Sequence, residues 1–195
     1  MTVLVEDLLL LARLDAGRLV ERTPVDLSAL VVDALSDAHA AGPEHHWSLD
    51  LPTDSDPVTV IGSPGQLHQV VANLLANARV HTPPGTHVRL RLFTEGGSAG
   101  SLPAAVITVS DDGPGVPGEL KPEVFERFSR GERARSRAGG STGLGLAIVA
   151  AVVAAHDGTV TVDSGPDGAV FTVTLPLAVT ALRSANARSG PRTQS

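Results

Sequence analysis

The sequence Asp111-Asp112-Gly113-Pro114-Gly115 follows an apolar run, residues 104–109, after one serine. The run is rich in β-branched residues, which predicts a buried strand whose end delivers the acidic pair into a glycine turn. A carboxylate fixed there can accept a hydrogen bond from an exocyclic amine, and Gly113 and Gly115 let backbone approach a flat ring closely. Adenine offers both features. An ordinary hairpin turn uses the same residues, so the stretch alone leaves both interpretations open.

Composition sets the class of protein. Hydrophobic residues make up 42% and charged residues 18% of the 195, which is typical of one globular domain, or of one domain plus an appendage. Fifteen basic and twenty-one acidic residues give a formal charge of −6, which argues against nucleic acid as a partner. Disulfides and thiolate sites are excluded because there is no cysteine. His45 and His46 lack a third ligand at metal-site spacing, and we expect them in a solvated loop.

The first stretch, Met1 to about Leu19, predicts a helix. It is too apolar to stand alone and must pack on a partner helix, in this chain or in another. We divide the chain into residues 1–22 as this helix with its linker, 23–178 as the main domain, and 179–195 as a disordered tail. No apolar run approaches a membrane span, and we expect the chain as given to be soluble and cytoplasmic.

The segment between the first helix and residue 63 predicts one helix and two strands. Asp26 or Ser28 can cap a helix that ends near Gly42-Pro43. Residues 47–51 alternate as a strand, and residues 58–62 are predicted to be its hairpin partner.

A second helix is predicted from Ser63, its N-cap, with Pro64 at the first helical position. It carries Asn73 and Asn77 on one face, and asparagine is a poor helix former unless its amide is used. Two amide oxygens on one face can hold a hydrated Mg²⁺ ion, which takes few protein ligands. A pair of ordinary surface amides is the alternative.

Strands are predicted at residues 87–93 and 104–109, joined by a Gly/Ser-rich turn. Residues 131–142 have almost no apolar content, which predicts a mobile loop. The arginines in and near this loop, including Arg127 and Arg130, are either solvated or form a lid over phosphates.

A glycine-rich run, residues 139–146, leads directly into an apolar helix predicted at residues 147–156. Glycine amides at a helix N-terminus form an anion site, because unpaired N–H groups and the helix dipole point at the ligand. Phosphate is the obvious anion, and tight helix packing is the alternative. Strands at residues 159–163 and 169–175 are predicted to close a hairpin.

Several common motifs are absent. No P-loop, no Gly-x-Ser-x-Gly elbow and no eukaryotic kinase catalytic-loop signature occurs in the sequence. Residues 113–118 fit the spelling Gly-x-Gly-x-x-Gly, but Pro114 and Pro117 prevent that segment from opening a helix.

Four segments, in this order, resemble the four signature motifs of the ATP-binding catalytic domain of sensor histidine kinases. They are Asn73-Leu74-Leu75-Ala76-Asn77-Ala78, Asp111-Asp112-Gly113-Pro114-Gly115, Phe125-Glu126-Arg127-Phe128 and Gly143-Leu144-Gly145-Leu146. The resemblance covers roughly Thr23 to Leu177. It implies an α/β two-layer sandwich of the Bergerat type, shared with gyrase and MutL, in which a mixed β-sheet is backed by three α-helices and a flexible lid covers ATP.

The resemblance also implies roles for residues. Asp111 would read the adenine amino group, Gly113 and Gly115 would line the base pocket, and His81 would lie against the base. Asn73 and Asn77 would be the catalytic pair that holds Mg²⁺ against the phosphates. The remaining implied ATP-binding positions are Arg127, Arg130, Thr142, Gly143, Leu144, Gly145 and Leu146.

The first helix resembles the end of the family's dimerisation and phosphoacceptor hairpin, which implies a homodimer through this helix and a full-length protein anchored in the cell membrane. The phosphoacceptor motif, a histidine followed by an acidic residue and shortly by a proline, is absent. Two smaller departures are Val80, where the family commonly has lysine or arginine, and Asp157, where it has glycine. We expect the second to be harmless because Gly158 still supplies the turn.

The resemblance therefore predicts a domain that binds MgATP and donates the γ-phosphoryl to a histidine outside this chain, for relay to a response regulator. Gyrase-type relatives use a glutamate to activate water at the place that resembles Asn73. An amide cannot take that proton, which favours transfer over hydrolysis. The alternatives are a non-catalytic nucleotide-binding regulatory module and an anti-sigma-type serine kinase.

Overall fold

The structure is a computed structural model and describes residues 5, 8–12, 22–53, 56–96, 103–118, 124–126 and 143–178. Besides the helical residues 8–12, ten elements lie within these ranges. In chain order they are β1 (Thr23–Asp26), α1 (Leu27–Ala41), β2 (His46–Asp50), β3 (Thr59–Gly62), α2 (Pro64–His81), β4 (His87–Glu95), β5 (Ala104–Asp111), α3 (Gly145–Ala155), β6 (Thr159–Gly165) and β7 (Gly168–Pro176).

Five strands form one mixed sheet in the order β2-β4-β5-β7-β6, in which β2 and β4 are parallel and the other neighbours antiparallel. The three helices cover this sheet as a second layer, with α2 packed between α1 and α3. A separate antiparallel pair, β1 and β3, is joined to the end of β7 by the Val60–Leu177 bridge. The predicted α/β sandwich with a mixed sheet and three helices is confirmed.

The core lies between the helices and the sheet because alternate strand residues are apolar. Along β4, Val88, Leu90 and Leu92 are buried while the arginines between them are exposed. The helix faces toward the sheet are also apolar, which gives one contiguous core.

One predicted pairing is wrong. Residues 47–51 and 58–62 do form strands, but they do not form a hairpin: β2 pairs in parallel with β4, and β3 pairs with β1. The sequence analysis missed β1, a four-residue strand that contains Pro24. Proline is tolerated in an edge strand, and so short a segment becomes a strand only when its partner is in place.

The helix starts follow the predicted signals with one difference. Asp26, not Ser28, caps α1, accepting hydrogen bonds from Ser28 N at 2.8 Å and Ala29 N at 3.3 Å. Ser63 stands at the N-cap position of α2 and Pro64 follows it, but the serine side chain makes no capping bond. Its backbone N–H donates instead to His156 Nε2 at 3.1 Å.

The ends of the chain are described in part. Residues 8–12 are helical as predicted; Leu11 is buried in the core, whereas Leu8 and Leu9 are exposed. The whole loop predicted at 131–142 and all of the predicted tail from 179 lie outside the described residues, so these and the domain bounds stay predictions. Among the helices of the described ranges, none is long and apolar enough to cross a bilayer.

Candidate nucleotide-binding site

A pocket opens where the end of β5 meets the C-terminal half of α2. About 260 Å³ of empty space lies in it, and this space includes open solvent. Asn77 and His81 line it from α2, Asp111 from the end of β5, and Gly115 from the glycine turn. The other lining residues are Ala78, Thr82, Pro114, Val116, Ala169 and Phe171. Four of the predicted site residues thus share one pocket.

Asp111 is the half-buried charge of this pocket. Burial raises the pKa of its carboxyl group above the ordinary value, and hydrogen bonds from the backbone of Gly113 and Ala169 offset part of that rise. Its Oδ1 accepts from Gly113 N at 3.0 Å, which points the carboxylate along the turn. A fixed, partly desolvated carboxylate can accept a strong hydrogen bond from an amine that replaces the lost water.

The glycine turn is held against the β6–β7 hairpin. Gly115 has φ +70°, and a Cβ on it would lie 2.0 Å from the carbonyl oxygen of Gly165. Val116 N donates to Ser164 Oγ at 2.7 Å, and that hydroxyl donates to Gly168 O at 3.1 Å. Only glycine fits at position 115, because both the backbone angle and the space exclude a side chain.

Gly113 is predicted to line the pocket, but it lies just behind the lining. A Cβ on it would lie 2.6 Å from Thr82 Cγ2 and 2.9 Å from Asp111 Oδ1, so it packs between two lining residues. The lack of a side chain at Gly113 therefore lets the acidic turn approach α2.

The two asparagines of α2 have different surroundings. Asn77 lines the pocket, whereas Asn73 Nδ2 donates to Gly145 O at 3.3 Å. This bond joins α2 to the first residue of α3. It places one predicted magnesium ligand beside the predicted phosphate-binding turn.

The start of α3 is where the sequence predicts an anion site. Gly143 takes a left-handed conformation, φ +71°, and the helix begins at Gly145. The Leu144 side chain is fully buried, and Leu146 is partly buried against the core. The side chains of both leucines therefore belong to the core and do not face a ligand. Arg127, Arg130 and Thr142 lie outside the described residues, so their roles stay predictions.

The sequence analysis missed several residues of this pocket. Phe171 forms one wall of the pocket. Phe125, from the motif at residues 125–128, contacts it edge-on, with 6.4 Å between the ring centroids. The inward position of Phe171 on β7 could be read from the strand's alternation. Thr82 carried no such signal.

The solvated-loop prediction for His45 is wrong. His45 is 7% exposed, and its Nε2 lies 3.0 Å from Thr82 Oγ1. His46 lies on β2 and is exposed. Neither belongs to a cluster of three His, Cys, Asp or Glu side chains able to hold a metal, and the described part of the chain contains no such cluster.

The turn after α3 also differs from the prediction. The left-handed residue is Asp157, φ +59°, not Gly158. Gly158 is required for space, since a Cβ there would lie 2.5 Å from Thr174 O. Buried His156 donates from Nδ1 to Val152 O at 2.7 Å and accepts from Ser63 N, and burial lowers the pKa of its ring.

Comparison with known proteins identifies the class. The sequence profile described as Histidine kinase-, DNA gyrase B-, and HSP90-like ATPase matches residues 62–179, more than half of the chain. The chain therefore belongs to this ATPase family, in agreement with its α/β sandwich. The chain accordingly contains an ATP-binding domain.

Within this family the chain has the histidine kinase type of ATP-binding catalytic domain. It is 62% identical over 177 residues to the probable sensor histidine kinase TcrY of Mycobacterium tuberculosis, covering 90% of this chain and 35% of TcrY. It is 45% identical to the sensor histidine kinase TrcS of the same organism, covering 91% of this chain and 34% of TrcS. The chain thus spans about a third of the length of these relatives.

Solved structures agree. The mycobacterial sensor histidine kinase MprB superimposes with a TM-score of 0.68 at 32% identity, covering 80% of this chain and 98% of that one. Full-length ShkA in complex with AMPPNP superimposes with a TM-score of 0.72 at 28% identity, covering 90% of this chain and 35% of that one.

Proposed function

We propose that this chain binds MgATP and donates the γ-phosphoryl group to a histidine outside the chain, for relay to a response regulator. The observation that carries the proposal is the hydrogen bond between Asn73 and Gly145. It joins α2, which lines the pocket, to the Gly143–Leu146 turn at the start of α3. A nucleotide whose base meets Asp111 can then reach N–H groups at that turn with its phosphates. Phosphoryl transfer needs mainly such positioning and charge neutralisation.

The magnesium ion is part of the proposal. Asn77 lines the pocket and Asn73 lies beside the Gly143–Leu146 turn. The amides of these two residues would give the ion two neutral oxygen ligands, and the phosphates of the nucleotide would supply the negative charge. Mg²⁺ keeps several waters and takes few protein ligands, so two amides and a phosphate chain suit it. The bond to Gly145 uses the amide nitrogen of Asn73, so it does not occupy the amide oxygen.

Charge on the phosphates needs further neutralisation. Val80, at the end of α2, replaces the basic residue common in the family and carries no positive charge. We assign this role to Mg²⁺ and to Arg127 and Arg130, with Thr142 and the Gly143–Leu146 backbone holding the phosphate tail.

The partners follow from the same proposal. The sensor histidine kinase relatives imply a response regulator as partner in a two-component system. We propose further that the phosphoacceptor histidine is supplied in trans or by another part of the protein, that the first helix contributes to a homodimer, and that the full-length protein is anchored in the cell membrane.

Binding and transfer are tested together. Calorimetry with ATP and magnesium should give one site, and radiolabel from γ-labelled ATP should then move to a separately made phosphoacceptor hairpin. Binding without transfer to any hairpin would favour a regulatory nucleotide-binding module, the alternative that the relatives do not favour. Label on serine would indicate the anti-sigma type of kinase.

The choice between transfer and hydrolysis is tested at Asn73. Asn73→Glu places a carboxylate where gyrase-type relatives have their base, and we expect hydrolysis of ATP to water to rise above the wild-type rate. Asn73→Gln is the matched control, because it has the same length and cannot accept a proton. Equal hydrolysis by the two variants, at equal ATP occupancy, would contradict the role given to this position.

A further inference from the structure

His45 and the nucleotide pocket are joined through one side chain, Thr82. The Thr82 hydroxyl donates to Ala78 O at 2.8 Å, so its oxygen must accept the bond from His45 Nε2 at 3.0 Å. The ring then carries its hydrogen on Nε2. His45 Nδ1 is buried and has no partner among the residues that the structure describes, so one hydrogen bond to Thr82 is the polar contact that the ring makes.

His45 itself is held firmly. Its backbone N–H donates to Gly42 O at 3.2 Å, and its ring lies 5.7 Å from that of Trp47, whose Nε1 donates to the same carbonyl at 2.7 Å. Because only 7% of the residue is exposed, His45 is a fixed donor, not a mobile surface group.

Two hydrogen bonds on one hydroxyl fix the orientation of Thr82, and therefore of its methyl group. That methyl lies against Gly113, whose missing Cβ would be only 2.6 Å away. Gly113 N in turn donates to Asp111 Oδ1. A continuous chain of contacts thus runs from His45 to the carboxylate of Asp111.

We propose that His45 is a positioning residue for base recognition: through Thr82 and Gly113 it holds Asp111 in the orientation that accepts the adenine amino group. The inference rests on the proposed function, since it takes Asp111 to read that group. His45 lies outside residues 62–179, the part matched by the family profile, so the profile does not include it. It touches neither base nor phosphate and acts only by holding the pocket edge.

The test compares two ligands, ATP and purine riboside triphosphate, which lacks the exocyclic amine. Calorimetry on one preparation gives both dissociation constants, and their ratio does not depend on the fraction of folded protein. The wild-type chain should prefer ATP about tenfold or more, as expected for a hydrogen bond to a charged group. His45→Leu and Thr82→Val should each reduce this preference to about threefold or less.

Three further variants separate positioning from general stability. His45→Gln keeps a donor near the Nε2 position and should recover most of the preference. The double variant His45→Leu/Thr82→Val should lose no more than either single one, because the two act as one unit. Thr86→Val removes a similarly buried hydroxyl, which donates to Pro83 O at 2.8 Å, and should keep the wild-type ratio.

The outcomes are distinguishable. A wild-type ratio in Thr82→Val, or in a folded His45→Leu, would overturn the role of His45 while leaving the proposed function intact. A wild-type chain that binds ATP without preferring it would overturn the role of Asp111 and this inference with it. If His45→Leu does not fold, Thr82→Val and His45→Gln decide the question.

Discussion

At the scale of single residues, the charge of Asp111 lowers the stability of the fold while it serves ligand binding. Its raised pKa means that folding disfavours the ionised form, so at neutral pH the charge costs stability that a neutral side chain would recover. The same charge is what a base amine would bind. A residue kept at a cost to the fold is typical of a site.

We expect Asp111→Asn to be as stable as the wild type or more stable, and to bind ATP at least about tenfold more weakly. Chemical denaturation and calorimetry check the two halves of this prediction. Asp112→Asn is the matched control: Asp112 is exposed, and hydrogen bonds from His87 lower the pKa of its carboxyl group. Its loss should leave ATP affinity unchanged. A destabilised Asp111→Asn would contradict the assigned cost of burial.

His156 gives a second residue-scale prediction. Burial lowers its pKa below 6.5, so the unfolded chain binds a proton that the folded chain resists. The free energy of unfolding should therefore not depend on His156 above pH 6.5. It should fall as the pH drops from 6.5 to the lowered pKa, by at most about 1.4 kcal/mol per pH unit for one proton.

The variant His156→Gln should flatten this part of the pH profile, because glutamine can accept from Ser63 N without titrating. Denaturation curves between pH 7 and pH 5 measure the slope. The exposed His39→Gln on α1 should retain the wild-type profile. An unchanged slope in His156→Gln would assign the pH dependence to other groups.

At the scale of elements, the glycine turn and the β6–β7 hairpin fit together only through backbone. We expect Gly115→Ala to lose about 2 kcal/mol or more of unfolding free energy, because it forces a left-handed alanine against Gly165 O, and to weaken ATP binding. Gly118→Ala is the control: its Cβ would meet nothing within 4 Å, so its stability should change by less than about 1 kcal/mol. Thermal unfolding of the two variants checks this, and equal losses would contradict it.

At the scale of the whole molecule, the pocket is assembled from distant parts of the chain, so ligand binding should stabilise the domain as a unit. ATP at a hundred times its dissociation constant should add about 2.7 kcal/mol. For a chain of this size that is a rise in Tm of roughly 5–10 °C. Scanning calorimetry with ATP and magnesium measures it. Asp111→Asn at the same ATP concentration should show a markedly smaller rise, and an equal rise would place the nucleotide elsewhere.

The sequence by itself determined the elements whose signals are local. Some signals act within a few residues of their own position in the chain. They are the apolar runs of β4 and β5, the cap at Asp26, the proline at the start of α2 and the Gly143–Leu146 turn at the start of α3. The resemblance of the four motifs to those of sensor histidine kinases then implied the α/β sandwich and a single site that contains Asp111, Asn77, His81 and Gly115.

Only the tertiary structure decided what depends on partners far along the chain. The strand β2 is parallel to β4 instead of pairing with β3, and β1 is a strand only beside β3, because strand pairing is a choice among all exposed edges. His45, which looked like a solvated loop residue, is buried because the end of α2 brings Thr82 to it. Local sequence specifies a backbone conformation, whereas burial and side-chain partners depend on which distant segments share the core.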